Sequence, residues 1–347
     1  MLMAVVAALN YLVDPGAIYI HASADSRPFV EALVRSPYGL WWPDNSFQDR
    51  QIKKALSQTA HGECIVIGSS RAMQMGSART DRLFGDICGS IVNLAVSSGG
   101  IEDDITLTHM AVEGGHPRKV ILSIDPWTFA FGLNSRWSYY ASDYEAAARD
   151  IGIVAVTPVS ADAGADALAN KLRNLFSLEY TMRSVLQLAA DVRFGAGRFA
   201  ARQAFAVDPL IGGPYPVLLP DGSLIYSAAY IAAASGPYAS DRIEPFSKAE
   251  AFHDPRAIAA LQALLVWLKS RGTEPILLLA PFRSSNPPPQ GGRNAQAIVS
   301  AEAIARRLGS QLRIRIIGTY DARAAHCAPS QFYDYMHANT PCLALLR

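Results

Sequence analysis

The sequence predicts an α/β protein: a three-layer α/β/α sandwich on a parallel sheet of about five strands, with a helical insertion. Three observations carry this. Short, nearly continuous apolar runs recur at "ECIVIG" (63–68), "SIVNLAV" (90–96), "KVILSID" (119–125) and "PILLLAP" (275–281), the pattern of parallel strands covered on both faces. Stretches of helical periodicity lie between them. Half of the 347 residues are hydrophobic, enough for a sizeable core.

Taken in order, Met1 to Val13 are apolar apart from Asn10 and Tyr11. That run is shorter than the roughly 20 residues a bilayer requires, and it lacks a basic n-region and a small-residue cleavage site. Residues 1–15 read as the last turns of a membrane anchor whose start is clipped, with "VDPG" as the turn where the chain leaves the bilayer. A buried core helix and an uncleaved signal remnant are the alternatives. "SFQDRQIKKALSQTA" (46–60) predicts a helix capped by Ser46. "GIEDDITLTHMAVEGG" (100–115) predicts another, with acids in its first turn.

After the third strand, residues 133–250 read as an insertion within an α/β domain spanning 46–347. It holds the helical stretch "DALANKLRNLFSLEYTMRSVLQLAADV" (166–192) and the hairpin "LLPDGSLIY" (218–226) around Asp221-Gly222. An insertion there can cap the carboxyl edge of the sheet, where ligands bind in open α/β folds. "DPRAIAALQALLVWLKSRG" (254–272) has Pro255 at its first turn and Gly272 as its stop. "NAQAIVSAEAIARRLG" (294–309) has the same form, and "LRIRIIG" (312–318) alternates like an edge strand.

Lys and Arg number 31 against 30 Asp and Glu, so no basic excess points to a nucleic-acid partner. Of the four cysteines, Cys64 falls in a buried strand and reads as inert. Cys327 and Cys342 flank the last motif and can pair in an oxidising compartment, while Cys88 has no evident partner. The aromatic pairs "WW" (41–42) and "WSYY" (137–140) fit either packing or a carbohydrate- or lipid-facing cleft.

Two short motifs carry chemistry. "CIVIGSSRAMQM" (64–75) runs from an apolar strand into Gly68-Ser69-Ser70-Arg71 and a helix-like pattern. A serine at such a turn stands above the sheet beside backbone N–H groups that can stabilise an oxyanion; a simple N-cap is the alternative. "QFYDYMHANTPC" holds Asp334 and His337. Serine chemistry needs an imidazole to take the hydroxyl proton and a carboxylate to hold the imidazole's tautomer. No cluster of further ligands accompanies the pair, so no metal and no cofactor are expected. His326, beside Cys327, is a substitute base. A phosphate-bearing ligand at the Ser69-Ser70 helix start is a further reading, without a Gly-rich fingerprint to support it.

Together, a Gly-x-Ser turn after the first strand and an Asp-x-x-His after the last resemble the SGNH/GDSL hydrolase superfamily, whose fold is a flavodoxin-like sandwich. The resemblance implies that Ser70 is the nucleophile, His337 the base and Asp334 its orienting acid. The family's second-block oxyanion donor falls on Ser98 or Gly99 in "NLAVSSGG". The Asn of its third block falls on Asp125 in "SIDPW", where a carboxylate would repel an oxyanion. Arg71, grouped with Ser98, Gly99 and Asp125 as an oxyanion- or substrate-binding candidate, reads as a solvated helix residue or the partner of some acid; the sharper alternative is a pair with Asp125, which would account for that carboxylate. "NYLVDPG" and Gly-Ser-Ser-Arg resemble the membrane-anchored, extracytoplasmic branch that includes alginate O-acetylation and teichoic-acid D-alanyl transfer proteins. The resemblance implies an esterase or O-acyltransferase acting on an acylated envelope polysaccharide or similar ester, at the periplasmic face of the cytoplasmic membrane, with membrane contact through the N-terminal segment and envelope-protein partners. The alternative is a non-catalytic binding or scaffold protein of an envelope assembly.

Overall fold

A computed structural model of the protein describes residues 2–15, 19, 26–42, 49–76, 87–133, 136–155, 172–194, 204, 213, 215–234, 253–283 and 293–346. Two helices, α1 (Leu2–Val13) and α2 (Arg27–Arg35), precede the two-residue strand β1 (Leu40–Trp41) and helix α3 (Asp49–Thr59). Strands β2 (Cys64–Ile67) and β3 (Ile91–Asn93) follow, then α4 (Ile101–Gly115) and β4 (Lys119–Ser123). The predicted cap of α3, Ser46, lies outside the described residues.

Beyond β4 the chain forms α5 (Ala141–Ile151), α6 (Leu178–Phe194), the hairpin strands β5 (Val217–Leu218) and β6 (Leu224–Ile225), and the short helix α7 (Ala228–Ala234). It then returns through α8 (Pro255–Ser270), β7 (Glu274–Leu279), α9 (Arg293–Leu312) and β8 (Arg315–Gly318) to the four-residue helix α10 (Thr340–Leu343). Asp254 caps α8, its carboxylate accepting from the Arg256 N–H, with Pro255 in the first turn.

The main sheet has the order β3-β2-β4-β7-β8, and every pairing is parallel. Numbered by their own succession the strands run 2-1-3-4-5, the flavodoxin-like doubly wound order. Register aligns Ile65 with Val92 and Val120, and Ile121 with Ile276. All four residues of β2 are buried, as both-face burial in a helix-covered parallel sheet requires. The alternating run at 315–318 is an edge strand, as its pattern predicts.

The strand order reverses beside β2, so the chain leaving its carboxyl end enters the crevice at the switch point. A second, three-stranded sheet, β1-β5-β6, is antiparallel. It contains the predicted hairpin, turned at Gly222 with φ +83°, where a Cβ would stand 2.3 Å from the Asn93 carbonyl oxygen. Only glycine lets the hairpin tip press this closely onto the main sheet.

Cys327 and Cys342 form a disulfide. Cys64 and Cys88 form another, which corrects the reading of Cys64 as inert and Cys88 as unpartnered. Cys88 sits just before β3, the immediate neighbour of β2, and that pairing brings the two thiols together.

Candidate active site

Ser70 follows the carboxyl end of β2. Gly68 makes the turn with φ +146°, and a Cβ there would lie 2.7 Å from the Ser123 Cβ, so only glycine fits. The residues after Ser70 are successive turns rather than the expected helix, closed by Ala72 N–H to Ser69 O at 3.0 Å and Met75 N–H to Ala72 O at 3.0 Å. The Asn93 side chain explains the departure. Its Nδ2 donates to the carbonyls of both Ala72 and Met75 at 2.7 Å, capturing acceptors that a helix would use. A phosphate site on a helix start at Ser69-Ser70 loses its basis with that helix.

Asp334 and His337 lie on a loop. The Asp334 Oδ1 accepts from the N–H groups of Met336 and His337, both at 2.8 Å, an Asx-type turn that sets the ring. Its Oδ2 meets His337 Nδ1 at 2.7 Å. With Nδ1 carrying the proton toward Asp334, the other ring nitrogen is an acceptor, and Ser70 Oγ lies 2.9 Å from His337 Nε2. Burial alone would raise the Asp334 carboxyl. The hydrogen bond and charge of His337 and the two backbone donors outweigh it and hold the group down to about 2. The three residues named from the two ends of the sequence thus form one hydrogen-bonded chain.

Arg71 is fully buried and pairs with Asp125 through Nη1 at 2.5 Å; it is neither a solvated helix residue nor, since it does not border the cavity at Ser70, a substrate-binding group. Its Nε donates to Met336 O at 3.1 Å and its Nη2 to Ala280 O. The guanidinium also stacks 3.7 Å from the Phe282 ring. One side chain therefore ties the Ser70 turn to the ends of β4 and β7 and to the loop of His337. Asp125 is held in this buried pair and does not border the cavity at Ser70, so it is not an oxyanion group.

Gly99 is also corrected: its N–H donates to Val96 O at 3.1 Å. Its missing side chain serves close packing, since a Cβ would lie 2.7 Å from Gly68 O. Ser98 does border the cavity, with φ +51°. The residue before it is clamped at both backbone groups. Ser97 N–H donates to Asp49 at 2.5 Å, and Ser97 O accepts from Arg50 at 3.3 Å. Arg50 in turn grips Asp103 bidentately at 2.8 and 2.7 Å, entirely buried.

The cavity at Ser70 has a volume of about 360 Å³. It is bordered by Ser70, Ser98 and His337 and by the apolar side chains of Trp42, Met73, Leu218 and Leu224. Sequence reasoning missed the contribution of the segment after the hairpin. Tyr230 donates to Asp334 Oδ2 at 3.2 Å, and Tyr226 donates to Ser70 O at 3.3 Å. It also missed Lys53 and Asp49, which border the cavity. The Lys53 ammonium donates to Asn93 O and Gly222 O at 2.8 and 2.5 Å. Burial brings its pKa down to about 7 against the pull of Asp49 and Asp221.

Of the aromatic pairs, Trp42 lines the cavity while Trp137 and Tyr140 are packed in the core. His326 borders a different cavity, with Gly318 and Leu345, and does not serve Ser70. Among the described residues the one His/Asp/Glu cluster with ligand spacing is His109, Glu113 and Asp150, where Arg271 already pairs with both carboxylates. Neither a scan of protein-family models nor a search of curated proteins finds a match to this chain.

Proposed function

We propose that the protein is a serine-dependent, SGNH-type esterase or O-acyltransferase acting on an acylated envelope polysaccharide or a similar ester. The observation that supports it is the Ser70–His337–Asp334 chain opening onto a cavity large enough for an ester. Ser70 Oγ attacks the ester carbonyl carbon as its proton passes to His337 Nε2. Asp334 holds the ring and stabilises the imidazolium. The oxyanion forms beside the Ser70 and Ser98 backbone N–H groups. The intermediate collapses as the leaving alcohol takes the proton from His337, which leaves Ser70 acylated. Water or a sugar hydroxyl, deprotonated by His337, then attacks the acyl carbon; the Ser70 ester bond breaks, and His337 returns the proton to Ser70 Oγ.

Both disulfides support a place in an oxidising compartment, and the uncharged α1 supports contact with a membrane. The test is labelling by a serine-directed fluorophosphonate together with turnover of p-nitrophenyl acetate. Wild type labels and turns over, and Ser70→Ala abolishes labelling and lowers turnover by at least ~10³-fold. Absence of labelling in the folded wild type would leave a binding or scaffold protein instead.

A further inference from the structure

Helices α1 and α6 pack against each other with their polarity inverted relative to a water-soluble pair. The seam is polar. Asn10, fully buried, donates through Nδ2 to Thr181 Oγ1 and Leu175 O, both at 2.9 Å, and accepts from Ser184 Oγ at 2.9 Å. One turn on, Tyr180 donates to the buried Asp14 at 2.9 Å. The outside is apolar. On α6, Leu178, Met182, Val185, Leu186 and Val192 are each more than half exposed, and at 100° per residue they fall on one face. On α1, which carries no charged side chain, Leu2, Met3, Val5 and Leu12 are exposed to the same degree.

We infer that α6, a helix of the insertion, is a second lipid-contacting element, and that it lies in the interfacial layer of a bilayer beside α1. In water, helix pairs form by hiding apolar stripes from solvent, and each hydrogen bond adds only about 1 kcal/mol. A pair that exposes its stripes and joins through hydrogen bonds suits a medium that offers no polar partners, where such groups must be met in the seam. A soluble protein partner would cover the stripes but gives no reason for the polar seam.

Length decides between spanning and lying in the surface. At 1.5 Å per residue the 17 residues of α6 reach about 26 Å, short of the ~30 Å hydrocarbon core. No helix among the described residues is long and apolar enough to cross a membrane. The amphipathic face of α6 matches interfacial seating. The inference concerns the insertion helix and does not depend on the acyl-transfer reading.

The test is flotation of the full chain with phosphatidylethanolamine–phosphatidylglycerol vesicles. Wild type is expected to float equally at low salt and at about 0.5 M NaCl, because the contact is apolar rather than ionic. Met182→Glu with Val185→Glu is expected to lower the bound fraction at least ~10-fold, with near-UV circular dichroism and melting temperature unchanged. Should that variant melt early, Leu186→Glu alone serves the same comparison. Wild-type binding retained by the glutamate variants would overturn the role of α6. So would a wild type that does not float, or one that self-associates through this face without binding vesicles.

Discussion

Ser70 stands at the end of a strand whose every residue is buried, whereas His337 stands on a loop between a short 3₁₀ turn and a four-residue helix. The position of Ser70, the proposed nucleophile, follows from the sheet itself: β2 is paired on both sides, Gly68 packs against β4, and Asn93 of β3 fixes the turn. The base relies on other devices. The Cys327–Cys342 disulfide closes its loop, Asp334 shapes it, and Arg71 and Gln74 of the nucleophile turn hold the Met336 and Ala338 carbonyls. One half of the site is thus as stable as the core, while the other depends on a covalent tie and a few hydrogen bonds. Local opening that spares the fold should strike the base first.

The sharpest break of that asymmetry is Asp334→Asn. It leaves the nucleophile half untouched and frees the imidazole tautomer, so turnover of p-nitrophenyl acetate should fall about 10⁴-fold. Melting should show the sheet still folded.

Removing each disulfide comes next. Replacing either cysteine pair by serine should cost about 3 kcal/mol of stability by loop entropy, read from urea unfolding. The two pairs should separate in function. Loss of Cys327–Cys342 should slow fluorophosphonate labelling per folded molecule. Loss of Cys64–Cys88, at the opposite end of β2 from Ser70, should leave that rate unchanged.

A pH series sharpens the comparison further. The Asp334 carboxyl is held at about 2 in the fold, below the ordinary ~3.9 of the unfolded chain. It therefore contributes stability that is present above about pH 4 and lost as the pH falls through 2. The contribution is about 2 kcal/mol, and stability curves of Asp334→Asn should lack that part of the acid limb.

The smallest effect tests the clamp on the oxyanion side. Arg50→Lys keeps the charge but loses the bidentate grip on Asp103 and the hold on Ser97 O. Turnover should drop about tenfold with KM near that of wild type, since in the proposed mechanism the Ser98 amide acts on the transition state.

The strands of the main sheet were legible because residues covered on both faces leave continuous apolar runs that need no partner to be recognised. The candidate triad was legible through residue type and spacing, and the Arg71–Asp125 pair through the charge that Asp125 would otherwise place at the sheet edge. Other features depend on contacts that no local pattern encodes. A two-residue strand such as β1 has no measurable period. Asp49, Arg50 and Lys53 are charged residues that nothing in their helix marks as interior, yet all three are buried. Asp103 and the Ser97 backbone enclose the first two, while Asn93 and Gly222 hold Lys53. Tyr226 and Tyr230 gave no signal beyond their type, because their partners lie more than a hundred residues away in the chain. The helix expected after Ser70 failed for the same reason: the side chain that prevents it belongs to β3.

The cavity wall formed by Pro216, Leu218, Leu224, Tyr226 and Tyr230 comes from one short stretch outside the main sheet. Much of what the crevice admits is therefore written in a stretch of chain that supplies none of the three residues of the proposed triad, although its Tyr226 and Tyr230 touch Ser70 and Asp334. Grafting a different stretch between Tyr215 and Ala234 would give a new choice of molecule to the same proposed triad, provided that the tyrosines stay at 226 and 230 and a glycine at 222, where the graft must lie flush against its support.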